Sequence, residues 1–209
     1  MTQFVLGSAS AGRLRVLRQA GIDPLVVVSD VDEDALIASL DPETPPEAVV
    51  LKLANAKAVD VAAQLPDDVA VDCVVLGCDS MLYRDGKLWG KPGSASAAHA
   101  QWLAMAGSTA HLLTGHALLA ISKGVIVHAD GLTDSTNVRF GTPSESEIGA
   151  YVASGEPANV AGAFTIDGLG GWFVDWIEGN PSNVVGLSLP HVHRMLASAG
   201  ISPVSFWKH

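Results

Sequence analysis

Cys73-Val74-Val75-Leu76-Gly77-Cys78-Asp79-Ser80 is the stretch on which the fold turns. A run of β-branched and aliphatic residues, too short for a free-standing helix and ending in glycine, predicts a strand buried on both faces. Its tip is Asp79. A carboxylate just past the carboxyl end of a buried strand sits where open α/β sheets bind their ligands. Tyr83-Arg84-Asp85-Gly86-Lys87-Leu88 follows, and its Asp-Gly pair favours a tight hairpin that folds Lys91, in Gly90-Lys91-Pro92, back towards Asp79. An acid and a base then face one cleft. One Asp and one Lys alone are more often an ordinary ion pair or a solvated turn, so the rest of the chain has to decide.

Upstream, Phe4-Val5-Leu6 reads as a strand and Leu14, Val16, Leu17 and Ala20 as the apolar positions of a helix. Between them lies the small-residue loop Gly7-Ser8-Ala9-Ser10-Ala11-Gly12-Arg13. Ser10 is a natural N-cap, and small residues let backbone N–H groups approach an anion at the positive end of the helix. Arg13 in the first turn opposes the dipole, which a purely structural helix start would avoid. The loop is neither a Walker A loop nor a dinucleotide fingerprint. A second strand at Pro24-Leu25-Val26-Val27-Val28 runs into the carboxylates Asp30, Asp32, Glu33 and Asp34. An acidic helix start accounts for Asp32 and Asp34, and Glu33 is the candidate ligand for a divalent cation such as magnesium.

Thr44-Pro45-Pro46-Glu47 has the pattern of a capping box and opens a long helix carrying Lys52 and Lys57. Pro66-Asp67-Asp68 breaks the chain before the central strand. After Pro92, Ser94 caps a helix from Ala95 to Met105 that stops at Gly107. Strands follow at 111–119 and 125–127 around a Lys123-Gly124 turn, with a further one at 137–140. Ser144-Glu145-Ser146-Glu147 is a second capping box, for a helix to about Ala153. A glycine-rich piece at 161–171 leads into Trp172-Phe173-Val174-Asp175-Trp176-Ile177 as a strand, and a closing helix spans 191–199.

The chain has 209 residues, 48% of them hydrophobic and 16% charged, enough for a sizeable core in one compact unit or two intimate lobes, of which one unit is the expectation. No apolar run approaches the ~20 residues that span a bilayer, and the N-terminus lacks a signal sequence, which predicts a cytoplasmic protein without membrane partners. Twelve Lys and Arg against 22 Asp and Glu give a net charge of −10, which repels nucleic-acid backbones, so a polyanionic ligand must be met by a few placed cations. Cys73 and Cys78 read as small buried apolar groups. None of the seven histidines has the HExxH spacing, His191 and His193 read as partly exposed, and no Gly-x-Ser-x-Gly elbow supports acyl transfer.

Taken together, these stretches resemble the Maf family of nucleoside triphosphate pyrophosphatases. The pieces stand in family order: Leu6-Gly7-Ser8-Ala9-Ser10 with Arg13, Asp32-Glu33, Leu53-Ala54-Asn55-Ala56-Lys57-Ala58, Gly77-Cys78-Asp79-Ser80, Gly90-Lys91-Pro92, Gly155-Glu156-Pro157, Ala161-Gly162-Ala163-Phe164 and Asn183-Val184-Val185-Gly186-Leu187. The resemblance implies an elongated, mixed-sheet, two-lobed α/β fold like that of inosine triphosphate pyrophosphatases, a single domain over 1–209 with a central cleft. It implies hydrolysis of a nucleoside triphosphate to monophosphate and pyrophosphate with a divalent cation, magnesium or manganese, in the cytoplasm and often as a homodimer. The sequence departs from the family pattern at Gly12, where a paired arginine is usual, at Ser80 for threonine, and at Asp167 for glutamine. The resemblance marks these three positions as tuning the choice of base.

The chemistry then needs cations on the triphosphate, a metal at the α-phosphate and a base for water. Arg13, Lys57 and Lys91, with the Ser8 and Ser10 hydroxyls, supply the first; Glu33 and Asp79 hold the metal; Asp79 is the base. The rival reading is a nucleotide-binding regulatory module linked to septum formation, which needs the cations but no activated water.

Overall fold

The computed structural model describes residues 2–207. In chain order it contains β1 (Gln3–Gly7), α1 (Ala11–Gln19), β2 (Leu25–Val26), α2 (Glu33–Ala38), α3 (Pro46–Gln64), α4 (Asp67–Ala70), β3 (Asp72–Arg84), β4 (Lys87–Trp89), α5 (Ala95–Met105), β5 (Thr109–Ser122), β6 (Val125–Phe140), α6 (Glu145–Ala153), β7 (Val174–Glu178), α7 (Pro181–Val185) and α8 (Leu189–Ser198). Three short 3₁₀ turns fill the stretch between α6 and β7, and one follows α8. The fold is mixed α/β. Its seven-stranded sheet has the order β2-β1-β3-β5-β6-β7, with β4 paired to β3. The chain forms two compact units, and the long strands β3, β5 and β6 give residues to both.

The first unit takes residues up to 79, 114–134 and those from 186 onward. Here β1 runs parallel to β2 and to β3, in a register from Gln3↔Cys73 to Gly7↔Gly77. One face of this sheet presents Val5, Cys73, Val75, Ala117 and Leu119 to Ala54, Ala58 and Val61 of α3. The helix lies almost on the strands: a Cβ built on Gly77 would stand 2.3 Å from the Ala54 carbonyl oxygen, and one on Gly115 would stand 2.2 Å from that of Val50. A Cβ on Gly131 would be less crowded, 3.0 Å from the Leu51 side chain. Glycine is therefore needed under α3 because a side chain would lift it.

The second unit takes residues 80–113 and 135–185. The expected hairpin forms, with Asp85 (φ 50°) and Gly86 (φ 78°) both left-handed as a type I′ turn requires, pairing Arg84↔Lys87 and Leu82↔Trp89. The core is built on fully buried Trp102, which meets Phe140, Tyr151 and Phe173 edge to face and donates its Nε1–H to the Ala163 carbonyl at 2.7 Å.

Local readings hold where a side chain acts on its own backbone. Ser10, Ser94 and Ser144 cap α1, α5 and α6, the last in a full capping box with Glu147. The break expected at Pro66 forms, and the one-turn α4 follows it. Three expectations are corrected. Thr44-Pro45-Pro46-Glu47 makes no capping box: Pro45 is the N-cap of α3 and no side chain closes it. The strands expected at 125–127 and 137–140 are one continuous β6. Trp172 and Phe173 belong to a 3₁₀ turn, and the strand begins at Val174.

Candidate active site

Asp79 is not the tip of its strand. β3 runs on to Arg84, and what ends nearby is the parallel part of the sheet, since β1 stops at Gly7 opposite Gly77. Asp79, two residues beyond, points to the same face as Gly77, the face that α3 covers. On α3, Lys57 shares its helical stripe with Ala54 and Ala58, the residues that crowd Gly77. The sheet and the helix thus bring the two together, and Lys57 Nζ donates to Asp79 Oδ1 at 2.6 Å.

The same ammonium lies 2.6 Å from Glu33 Oε1. Glu33 opens α2, whose N-cap is Asp32, accepting from Ala35 N at 2.9 Å. The preceding loop is tied to α3 by Asp60, which accepts from Ser29 Oγ and Asp30 N, both at 2.8 Å. Two carboxylates therefore converge on one cation position. Asp79 and Lys57 are buried, at 6% and 9% exposure, while Glu33 is exposed. Burial pushes the Asp79 carboxyl above its ordinary value, against the pull of the Lys57 and Arg13 charges.

The small-residue loop completes this group. Ser8 Oγ accepts from Arg13 Nη1 at 2.8 Å and from Ser10 N at 3.2 Å, and Ser10 Oγ accepts from Arg13 N at 3.4 Å. Arg13 Nε donates to the Gly186 carbonyl at 2.8 Å, which fixes a buried guanidinium at the N-terminal end of α1. Gly12 follows the first residue of that helix and is half-buried. Serine hydroxyls, a guanidinium and a helix N-terminus suit an anion.

Of the predicted site residues, Ser8, Ser10, Gly12, Arg13, Glu33, Lys57 and Asp79 lie in the first unit, and Ser80, Lys91 and Asp167 in the second. Ser80 continues β3, Lys91 is exposed just after β4, and Asp167 is exposed in a bend. That bend is organised by Glu156: Oε1 accepts from Tyr151 Oη (3.0 Å), Thr165 Oγ1 (2.5 Å) and Gly170 N (3.0 Å), and Oε2 from Leu169 N (3.0 Å). Burial alone would raise the Glu156 carboxyl; these donors hold it below its usual range. In the sequence Gly155-Glu156-Pro157 gives Glu156 no role beyond the family pattern, and the glycine-rich stretch after it, rich in backbone donors, is the available signal. No motif singles out Asp60 or His116.

A Maf-like protein family model matches residues 3–199. The chain belongs to the Maf-like family. Two relatives, both named nucleoside triphosphate pyrophosphatase, are from Mycolicibacterium gilvum, 69% identical over 99% of each chain, and Mycolicibacterium vanbaalenii, 68% identical over 100% of each. A solved structure, the Staphylococcus aureus Ham1 protein, is 11% identical with a TM-score of 0.34 over 67% of this chain and 72% of its own. In this Maf-like chain the residues of the Lys57 cluster and of the Ser8–Arg13 loop are among those through which the sequence resembles the family.

Proposed function

We infer that this Maf-like protein is a nucleoside triphosphate pyrophosphatase, cleaving between the α- and β-phosphates to release the monophosphate and pyrophosphate. The observation that carries the reading is the convergence of Glu33 and Asp79 on one cation position, in the same unit as the Ser8–Arg13 anion loop. The names of relatives up to 69% identical over the whole chain support it.

The donor set suits a hard divalent cation: two carboxylates already share a cationic partner, and Glu33 and Asp79 would hold such an ion. When bound, it would acidify a water and draw charge from the α-phosphate. The protein's own groups do the rest. Arg13 and the Ser8 and Ser10 hydroxyls bind phosphate oxygens, and Lys57 turns from its carboxylates to the triphosphate. Asp79 accepts the proton of the attacking water; the new P–O bond forms at the α-phosphorus while the bond to the bridging oxygen breaks and pyrophosphate leaves with that electron pair. A carboxyl held above the ordinary range is a stronger base than free aspartate.

Release of pyrophosphate from a panel of triphosphates, with wild type and Asp79→Asn side by side, tests the reading. Asp79→Asn should fold and lose ~10²-fold or more in turnover. A folded wild type that binds triphosphates without releasing pyrophosphate would favour the regulatory module instead.

A further inference from the structure

His116 is fully buried in β5, within a run of apolar residues from Leu112 to Ile121, and its Nε2 accepts from Ser188 N at 2.8 Å. Accepting there requires the neutral ring, with its proton on Nδ1. Nδ1 is buried with no partner of full hydrogen-bond geometry, although the Leu132 backbone acts on the ring. The ring stacks on His191, with centroids 5.8 Å apart and planes at 24°. Around the pair stand Arg13, Asp134, which is 3.3 Å from His191 Nδ1, and Arg194, whose Nη2 is 2.9 Å from the same atom. An imidazole in such a core costs more than a leucine or phenylalanine of similar size, so its placement asks for a reason.

The reason lies two residues from Ser188. Ser188 is the N-cap of α8, its hydroxyl accepting from His191 N, and it is fully buried. Gly186, at φ 113°, turns the chain through a conformation that side-chain-bearing residues rarely adopt, and its carbonyl holds Arg13 Nε. The segment 186–188 is thus tied at one end to Arg13 and at the other to His116.

We propose that His116 is a positioning residue for Arg13: by accepting from Ser188 N it fixes the 186–188 segment, and through the Gly186 carbonyl it sets the guanidinium that binds the substrate's phosphates. The proposal rests on the reading of Arg13 as a phosphate ligand. A group misplaced by ~1 Å costs up to ~10²-fold, so a distant anchor of this kind has a measurable effect.

The test is a double-mutant cycle with a rescue. His116→Phe removes the acceptor and should lower kcat/KM about ten-fold or more. His116→Gln, which keeps an acceptor of similar reach, should recover most of it. In an Arg13→Ala background, His116→Phe should change kcat/KM by no more than about two-fold, because the group it positions is gone. A purely structural histidine would cost the same in both backgrounds, and that result overturns the proposal, as does wild-type kinetics in a folded His116→Phe. A readout independent of turnover is the Arg13 Nε–H resonance in ¹⁵N NMR. It should show slow exchange in wild type and His116→Gln and fast exchange in His116→Phe, and an unchanged resonance in all three overturns the proposal. If wild type turns over no triphosphate, the proposed activity falls and this resonance alone decides about His116.

Discussion

Lys57 Nζ lies 2.6 Å from Asp79 Oδ1 and 2.6 Å from Glu33 Oε1, so one ammonium pairs with both carboxylates proposed to hold the metal. A divalent ion held by Glu33 and Asp79, as proposed, would compete with the lysine for that position. Lys57→Met removes the competitor and breaks the buried ion pair of Asp79, leaving only the more distant Arg13 charge to offset it; breaking a buried pair costs about 3–5 kcal/mol. In the absence of metal this variant should melt well below wild type. Manganese should then raise its melting temperature more than that of wild type and bind it more tightly by calorimetry; equal manganese affinity for the two proteins would count against a shared position.

The seat of α3 offers a second test, one of backbone packing. Gly115→Ala places a carbon 2.2 Å from the Val50 carbonyl and 2.6 Å from Leu51 N, both backbone atoms that cannot swing aside. Overpacking of this kind costs about 1–3 kcal/mol, read as a lower urea midpoint at unchanged slope. Turnover should fall as well, since lifting the helix carries Lys57 with it.

Stability should depend on pH through His116. Burial, with His191 and Arg13 adding to it, pushes this imidazole from 6.5 down to about 4 in the folded protein. Between those values the unfolded chain binds a proton that the native state refuses. Stability is therefore complete above about pH 6.5 and is lost as pH falls towards 4, by on the order of 3 kcal/mol. Asp79, whose carboxyl is raised, contributes with the opposite sign, favouring the fold at low pH and losing that stability as pH rises through its folded value. Urea titrations from pH 7 to 4 on wild type and His116→Gln separate the two: the histidine part of the slope should vanish in the variant.

Base preference is tested in the bend that Glu156 holds. If Asp167 faces the base, its acceptor-only carboxylate disfavours thymine and uracil edges relative to cytosine and guanine, which offer amino donors. Asp167→Gln should shift kcat/KM ratios towards thymidine and uridine triphosphates by ~1–3 kcal/mol. Glu156→Gln, which turns an amide donor on to Leu169 N or Gly170 N, should loosen the bend, seen as faster amide exchange at 169 and 170, and flatten the ratios among bases. Ratios unchanged in both variants would remove Asp167 from base selection.

What could be read from sequence was local. Ser10, Ser94 and Ser144 revealed their caps because a hydroxyl three residues from its N–H acts on its own turn. Asp85-Gly86 announced its hairpin because few pairs tolerate two left-handed residues. Of the proposed site residues, Arg13 and Asp79 stood out as charges in a small-residue loop and an apolar run, whereas Glu33 lay among other carboxylates and Lys57 was singled out by the resemblance to the Maf family. What stayed hidden depends on partners far along the chain. Asp79 looked like a strand tip because Gly77 looked like a terminator, whereas that glycine makes room for α3. His116 meets Ser188 across 72 residues, and Asp60 meets Ser29 across 31, separations over which no spacing rule operates.

The glycines beneath α3 carry one more implication, about which parts of this protein can drift. The separation of Lys57 from Asp79 is inherited from main-chain contact between a helix and two strands, with no recognition side chain taking part. If Gly12, Ser80 and Asp167 tune the choice of base as proposed, substitutions there alter what is recognised while the spacing of Lys57 and Asp79 stays put. On that reading diversification of substrate and retention of chemistry rest on separate sets of positions, and a change at Gly77 or Gly115 would end both at once.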